Sequence, residues 1–245
     1  MKTSTKLIAG LFTVVLISIT VILSMAKYHV FKHAIEPAGK IISKSETLNR
    51  FTKVVLFGGY KVHLSQGKDH KYDIHGDENF INNLRVEVRE GVLEISRKEK
   101  SKMEDIVITL YFENLESVNM SGGTSLDCLS ELHGETISIN ASGGATGSLL
   151  LKYKNIQCDN SSGSNLNIKG TTNEIKIQAS SGGHVDASEL TSKNSIVEGS
   201  SGARIQVNVT EQLTANLSSG ANFTYKGNPA VKNVQASSGG NAEAE

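Results

Sequence analysis

The chain has 245 residues, of which 38% are hydrophobic and 20% charged, a composition that excludes a disordered chain and describes a rather polar folded protein. Its formal net charge is zero, tryptophan is absent and aromatics make up 5%, so neither a basic nucleic-acid surface nor an aromatic stacking platform is indicated. Two prolines against 23 glycines suit long β-structure broken by tight turns.

Positive charge is concentrated at the start, where residues 1–49 hold six Lys or Arg against two acids. Lys2 and Lys6 precede the uncharged run Leu7–Ala26, which as a helix would span about 30 Å, the thickness of a bilayer core. Residues 1–26 are therefore expected to form a transmembrane signal anchor, with residues 7–26 in the membrane and the C-terminal part outside the cytoplasm. The alternative is a signal peptide cleaved near Ala26, after Ser24 and Met25, which would leave a secreted or periplasmic protein. Residues 27–49, with Pro37 and Gly39, read as a poorly ordered linker.

From residue 51 the hydrophobic period is two. Val54, Leu56, Val62 and Leu64 flank Gly58-Gly59, and Leu84, Val86 and Val88 alternate with charged residues up to Glu90-Gly91. Leu93 and Ile95 then resume the alternation, which predicts a hairpin, and Ile106, Ile108, Leu110 and Phe112 predict another strand. Asp77–Asn83 is the one stretch with the character of a helical turn. His63, His70 and His75, with Asp69, Asp73 and Asp77, lack the compact spacing of a zinc motif and read as loop decoration.

Ser-Gly pairs then recur at Ser121, Ser142, Ser162, Ser181, Ser201, Ser219 and Ser238, in steps of 21, 20, 19, 20, 18 and 19 residues. A period this regular predicts a solenoid. Ile137 and Ile139, Ile156 and Cys158, and Ile175 and Ile177 precede three of the pairs. Leu166 and Ile168, Val185 and Ala187, Ile205 and Val207, and Phe223 and Tyr225 follow the glycines by three and five positions. The order is strand, bend, strand, one coil of a β-helix about twenty residues long. Glycine supplies the positive φ of the bend, and the serine is expected to hydrogen-bond the bend or the next coil.

The seven serines do not form a catalytic set. None lies in a G-x-S-x-G elbow, and His133 and His184 are the array's two histidines. Asp127, Asp159, Asp186 and Glu198 are scattered across the repeat frame. Cys128 and Cys158 fall at different repeat positions and are expected to be buried thiols rather than a disulfide. No catalytic, cofactor-binding or metal-binding residues are assigned.

The succession FTKVVLFGGYKVHLSQG, DIHGDENFINNLRVEVREGVLEISR, IVITLYFENLESVNMSGG and the recurring ASSGG-type units resembles the bacterial putative auto-transporter adhesin head GIN domain family. The resemblance covers about residues 50–240. It implies an all-β fold, a right-handed parallel β-helix with a strand-rich beginning, and it brings no catalytic residues with it. The expected organisation is thus an N-terminal hydrophobic helix, a linker, and a β-helix over 50–245. Within it, 51–120 form the strand-rich lead-in and 121–240 the Ser-Gly repeats.

These readings together point to a non-enzymatic, membrane-anchored cell-envelope protein that displays its solenoid for adhesion or partner binding. The partner would be an envelope protein or a glycan, and not nucleic acid. A polysaccharide-binding or polysaccharide-degrading β-helix protein is the first alternative, and a structural spacer or assembly scaffold pairing through its coil ends is the second.

Overall fold

In the computed structural model of the protein, the residues described are Thr20, 38–99 and 106–245. The stretch 7–26 lies outside them apart from Thr20. Among the described residues no helix is long and apolar enough to cross a membrane.

The local rule is set by alternation. In β2 (Lys53–Phe57) Val54 and Leu56 are buried, and in β3 (Lys61–Gln66) Val62 and Leu64 are buried, with exposed or half-buried residues between them. The two strands form one coil, joined at Gly58-Gly59. β8 (Ser117–Ser121) and β9 (Ser125–Cys128) lie parallel on it, Val54 opposite Val118 and Val62 opposite Leu126.

From β10 (Leu132–Ala141) onward, the second strand of a coil runs through a corner into the first strand of the next. β11 (Thr146–Asn160), β12 (Asn165–Ala179), β13 (His184–Gly199) and β14 (Arg204–Leu217) are therefore long, and the first two bend where neighbours Lys154 and Asn155, or Asn173 and Glu174, are exposed in succession. β15 (Asn222–Lys226), β16 (Val231–Ala236) and β17 (Asn241–Ala244) complete the parallel stack. The half-strands before the turns make a first face, and those after the turns a second.

Constant register turns the alternation into columns. Leu93, Val54, Val118, Ile139, Cys158, Ile177, Val197 and Ala215 stack behind the first face, all fully buried. Such columns bury apolar surface against their neighbours above and below, so stability is shared between adjacent coils. A second column, Ile137–Ile156–Ile175–Ser195–Leu213, ends at Lys232 on the last rung. There the Lys232 ammonium bonds the Tyr225 hydroxyl at 3.1 Å. A charge in a core column of the outermost strand is a device that blocks further stacking.

The other end is capped differently, and stacking order departs from chain order. β6 (Val92–Arg97) and β7 (Val107–Phe112) follow β2 and β3 in sequence, yet pair on their outer side, away from β8 and β9. β5 (Leu84–Arg89) then folds back antiparallel on β6 through the Glu90-Gly91 turn, the hairpin expected from the alternation. β4 (Lys71–Asp77) lies antiparallel on β7, and β1 (Ile41–Thr47) antiparallel on β4.

The part of the linker expected over 27–49 that is described must therefore be corrected, because residues 41–47 are a paired strand. The pairing hides almost none of the strand's side chains, so it has no hydrophobic period. The expected helical turn is α1 (Glu78–Asn83), which buries Phe80 and Ile81. Asp77 precedes it and accepts from the N–H groups of Asn79, Ala38 and Gly39, at 2.9, 3.0 and 2.8 Å. These bonds, that from Ala38 first, hold its carboxyl below the usual carboxylate range.

Candidate functional site

From Ser162 onward the Ser-Gly units are two-residue turns in which both central residues are left-handed, and in the first two turns Gly122-Gly123 and Gly143-Gly144 take those places. In the fourth, Ser181 has φ 51° and Gly182 φ 71°, and the Gly183 N–H closes the turn on the Ser180 carbonyl at 2.9 Å. This is type I′ geometry, which glycine adopts freely and serine adopts at a cost. Ser162, Ser201, Ser219 and Ser238 share it.

The serine is expected to hydrogen-bond the bend or the next coil, and the bond that recurs between coils comes from its backbone. In the left-handed conformation its carbonyl points along the stack and accepts the glycine N–H of the preceding turn. Gly163 bonds Ser181 at 3.2 Å, Gly182 bonds Ser201 at 3.0 Å, and Gly202 bonds Ser219 at 3.0 Å. The Ser-Gly column is a stacking device.

A more informative column lies beside it. Asn119, Asn140, Asp159, Gln178, Glu198, Asn216 and Gln235 stand opposite one another on consecutive rungs, all facing outward from the first face. Each lies two residues before the first serine of its turn, so every Ser-Gly repeat carries a planar amide or carboxylate at the same place. At roughly 4.8 Å per rung, the seven groups span about 29 Å. Their bonds to one another are intermittent. The Asn140 amide donates to Asn119 at 2.5 Å and the Gln178 amide to Glu198 at 2.6 Å, whereas Asp159 accepts from Gln157 of its own strand at 3.2 Å. The adjacent outward column, Ser117, Ser138, Gln157, Lys176, Ile196, Thr214 and Asn233, has no constant chemistry.

A groove of about 780 Å³ follows the ladder and the serine column beside it, from Val55 and Phe57 to Asn216 and Ser218. At its outer end Phe57 takes the serine position, opposite Ser121, and its ring is 57% exposed. Asp159 and Glu198 supply the charge of the lining.

The acids that were scattered in sequence are thus sorted into columns. Asp159 and Glu198 share the ladder, separated by the Gln178 rung and hence by about 10 Å. Asp127 and Asp186 share a column on the second face, with Ser148 and Asn167 between them. A smaller groove of about 410 Å³ passes over that column.

The histidines do not assemble with the aspartates around one point. His63 bonds Asp127, His75 bonds Ser43 at 3.0 Å, and Asp73 accepts from Ser45 at 2.5 Å. His70 packs edge-on against Phe51 with ring centroids 5.2 Å apart, and Asp69 is exposed. Among the described residues no group of three or more His, Cys, Asp or Glu is placed to hold a metal. Cys158 is fully buried in its aliphatic column and Cys128 half-buried, and both are free thiols. Burial pushes the Cys128 thiol up to about 11 and raises that of Cys158 further.

With this geometry in view, the family pattern described as "Putative auto-transporter adhesin, head GIN domain" matches residues 50–229. The chain belongs to this family. The head GIN fold seen here is also similar to solved structures. A crystal structure of a putative adhesin from Bacteroides fragilis has 20% identity and a TM-score of 0.78, over 86% of this chain and 100% of that one. One of a putative lipid binding protein from Parabacteroides distasonis has 17% identity and a TM-score of 0.71, over 86% and 99%. One of a putative adhesin from Parabacteroides merdae has 18% identity and a TM-score of 0.71, over 86% and 99%. At these identities the likeness is one of fold. No curated protein sequence matches the chain.

Proposed function

We propose that this head GIN protein is a non-enzymatic cell-envelope protein, held in the membrane by residues 7–26, whose solenoid presents its first face to a partner. The observation that carries the reading is the ladder from Asn119 to Gln235, one planar polar group per coil along an open groove. A solenoid repeats a side chain at rung spacing without altering its core, which suits recognition of an extended partner. The family description, an adhesin head, agrees with a role in contact rather than chemistry.

Catalysis would need groups converging on one reacting atom. Asp159 and Glu198 instead stand on parallel rungs with Gln178 between them, and the serines are held in turns by their backbone. The Lys232 block on the last rung also weighs against a spacer that assembles through β16.

The test is capture of partners by the full-length protein from its native envelope, in parallel with a variant carrying Asp159→Lys and Glu198→Lys. The expected result is an envelope component retained by the wild type and lost by the variant. Retention of nothing, or equal retention by both, would reject the reading. For the anchor, fractionation should find the mature protein in the membrane with its N-terminus intact. A soluble mature protein beginning near Lys27 would refute it.

A further inference from the structure

Resting on the partner-binding reading above, we infer that the ladder groove takes a linear, uncharged glycan, laid along the solenoid axis from Phe57 toward Asn216. The groove has the shape for a chain molecule. The groove follows about six rung steps, close to 29 Å at roughly 4.8 Å each, and is open along its length, which suits a chain molecule rather than a compact one.

Its lining has the chemistry to meet hydroxyl groups. An amide offers two donors and an acceptor oxygen, and a carboxylate offers acceptors alone, so the lining can serve hydroxyl groups in either sense. Much of that capacity is unspent. The ladder's internal bonds join Asn119 to Asn140 and Gln178 to Glu198, while Asn216 has no side-chain bond among the described residues. A ladder that served stacking alone would be continuous, as in columns where like amides bond rung to rung.

The groove lining carries Asp159 and Glu198 and no Lys or Arg, so it repels polyanions and admits a neutral polyol.

The groove's position on the sheet favours a glycan over a peptide. Extended peptides gain much of their affinity by adding a strand to an open sheet edge. This groove lies over the middle of a sheet whose main-chain groups are already paired rung to rung, so only side chains are on offer. A glycan has no peptide backbone to add to a sheet edge, so a face that offers side chains alone can still read it. The exposed Phe57 ring at the groove's outer end supplies an apolar platform for a sugar face, next to donors and acceptors for its rim.

The experiment is binding of the full-length protein to linear neutral oligosaccharides (glucan, mannan and N-acetylglucosamine oligomers), with polygalacturonate as the anionic probe. Variants are Gln178→Ala and Phe57→Ala in the groove and Gln206→Ala on the second face, each checked by thermal melting. The inference expects a neutral oligomer to bind. Affinity should fall about tenfold in either groove variant, the scale of one good contact, and stay unchanged in Gln206→Ala.

Binding of polygalacturonate alone, or binding that all three variants retain, would overturn it. So would a Gln178→Ala variant that melts lower yet binds as before, since the ladder would then be a stacking device. If no glycan binds while envelope capture still retains a protein through the groove, the glycan inference fails and partner binding stands. If capture also retains nothing, both fail.

Discussion

Two glycines of the stack meet very different surroundings, and replacing each with alanine measures what holds the coils together. At Gly182 the φ is +71° and a Cβ would meet nothing within 4 Å, so Gly182→Ala costs only the left-handed backbone of an L-residue, about 1–2 kcal/mol. At Gly170 the φ is +113°, and a Cβ would lie 2.0 Å from the carbonyl oxygen of Leu151, its partner on the preceding rung. That contact cannot be relieved by a side-chain rotation. The rung must part, losing backbone bonds worth about 1 kcal/mol each and leaving buried groups unpaired at about 1–3 kcal/mol more. With the backbone strain, Gly170→Ala should cost about 4 kcal/mol or more. In a domain of this size 1 kcal/mol corresponds to roughly 2–4 °C in Tm. The melting temperature, followed by circular dichroism of the strand signal, should fall by about 3–6 °C for Gly182→Ala and about 10 °C or more for Gly170→Ala. Equal shifts, or a larger one for Gly182→Ala, would refute the claim that close backbone approach between rungs, rather than turn geometry alone, sets coil spacing.

Other outcomes follow from the same structure. Replacing Lys232 with leucine extends an aliphatic core column to the last rung, so Lys232→Leu should promote self-association in sedimentation velocity, and a variant as monodisperse as the wild type would contradict the blocking role. Asp77, held low chiefly by the Ala38 N–H, and Asp73, held low chiefly by the Ser45 hydroxyl, have folded pKa values below their unfolded ones. Their contribution is full above about pH 4 and is lost as pH falls through the folded values, so the melting temperature should drop as the pH is lowered from about 4 towards 2. Hydrogen exchange should show β1 and β4 loosening first, and a melt unchanged over that range would contradict it. With the Cys128 thiol pushed to about 11 by burial and Cys158 higher, neither should label quickly near pH 8 until the protein is unfolded; rapid labelling of Cys158 in the native state would place it outside the core.

The array was legible because its two signals are local. Seven Ser-Gly turns mark the period, and residues such as Ile175 and Ile177 mark the inward face of each rung. What was not legible depends on partners distant in sequence. Nothing in the alternation of Leu93 and Ile95 says that β6 pairs outside β2, earlier in the chain, rather than after it. β1 hides almost none of its side chains and so has no period to read. The ladder was within reach but stood in the wrong frame. Aligned on the glycine, Asn140 and Asp159 fall three and four positions away, because Gly143 occupies the place that Ser162 takes in the next turn. Counted instead from the first serine of each turn, Asn140, Asp159, Gln178 and Glu198 coincide, and two of the acids that looked scattered, Asp159 and Glu198, fall into one column.

The central claim is that the first face, and not the second, meets the partner. Site-specific photo-crosslinkers at Gln178 on the ladder and at Gln206 on the opposite face decide it most directly, since both side chains point outward from the same rigid stack. In the native envelope the position-178 probe should yield a discrete adduct and the position-206 probe none. An adduct at 206 alone, or at neither position, would contradict the account.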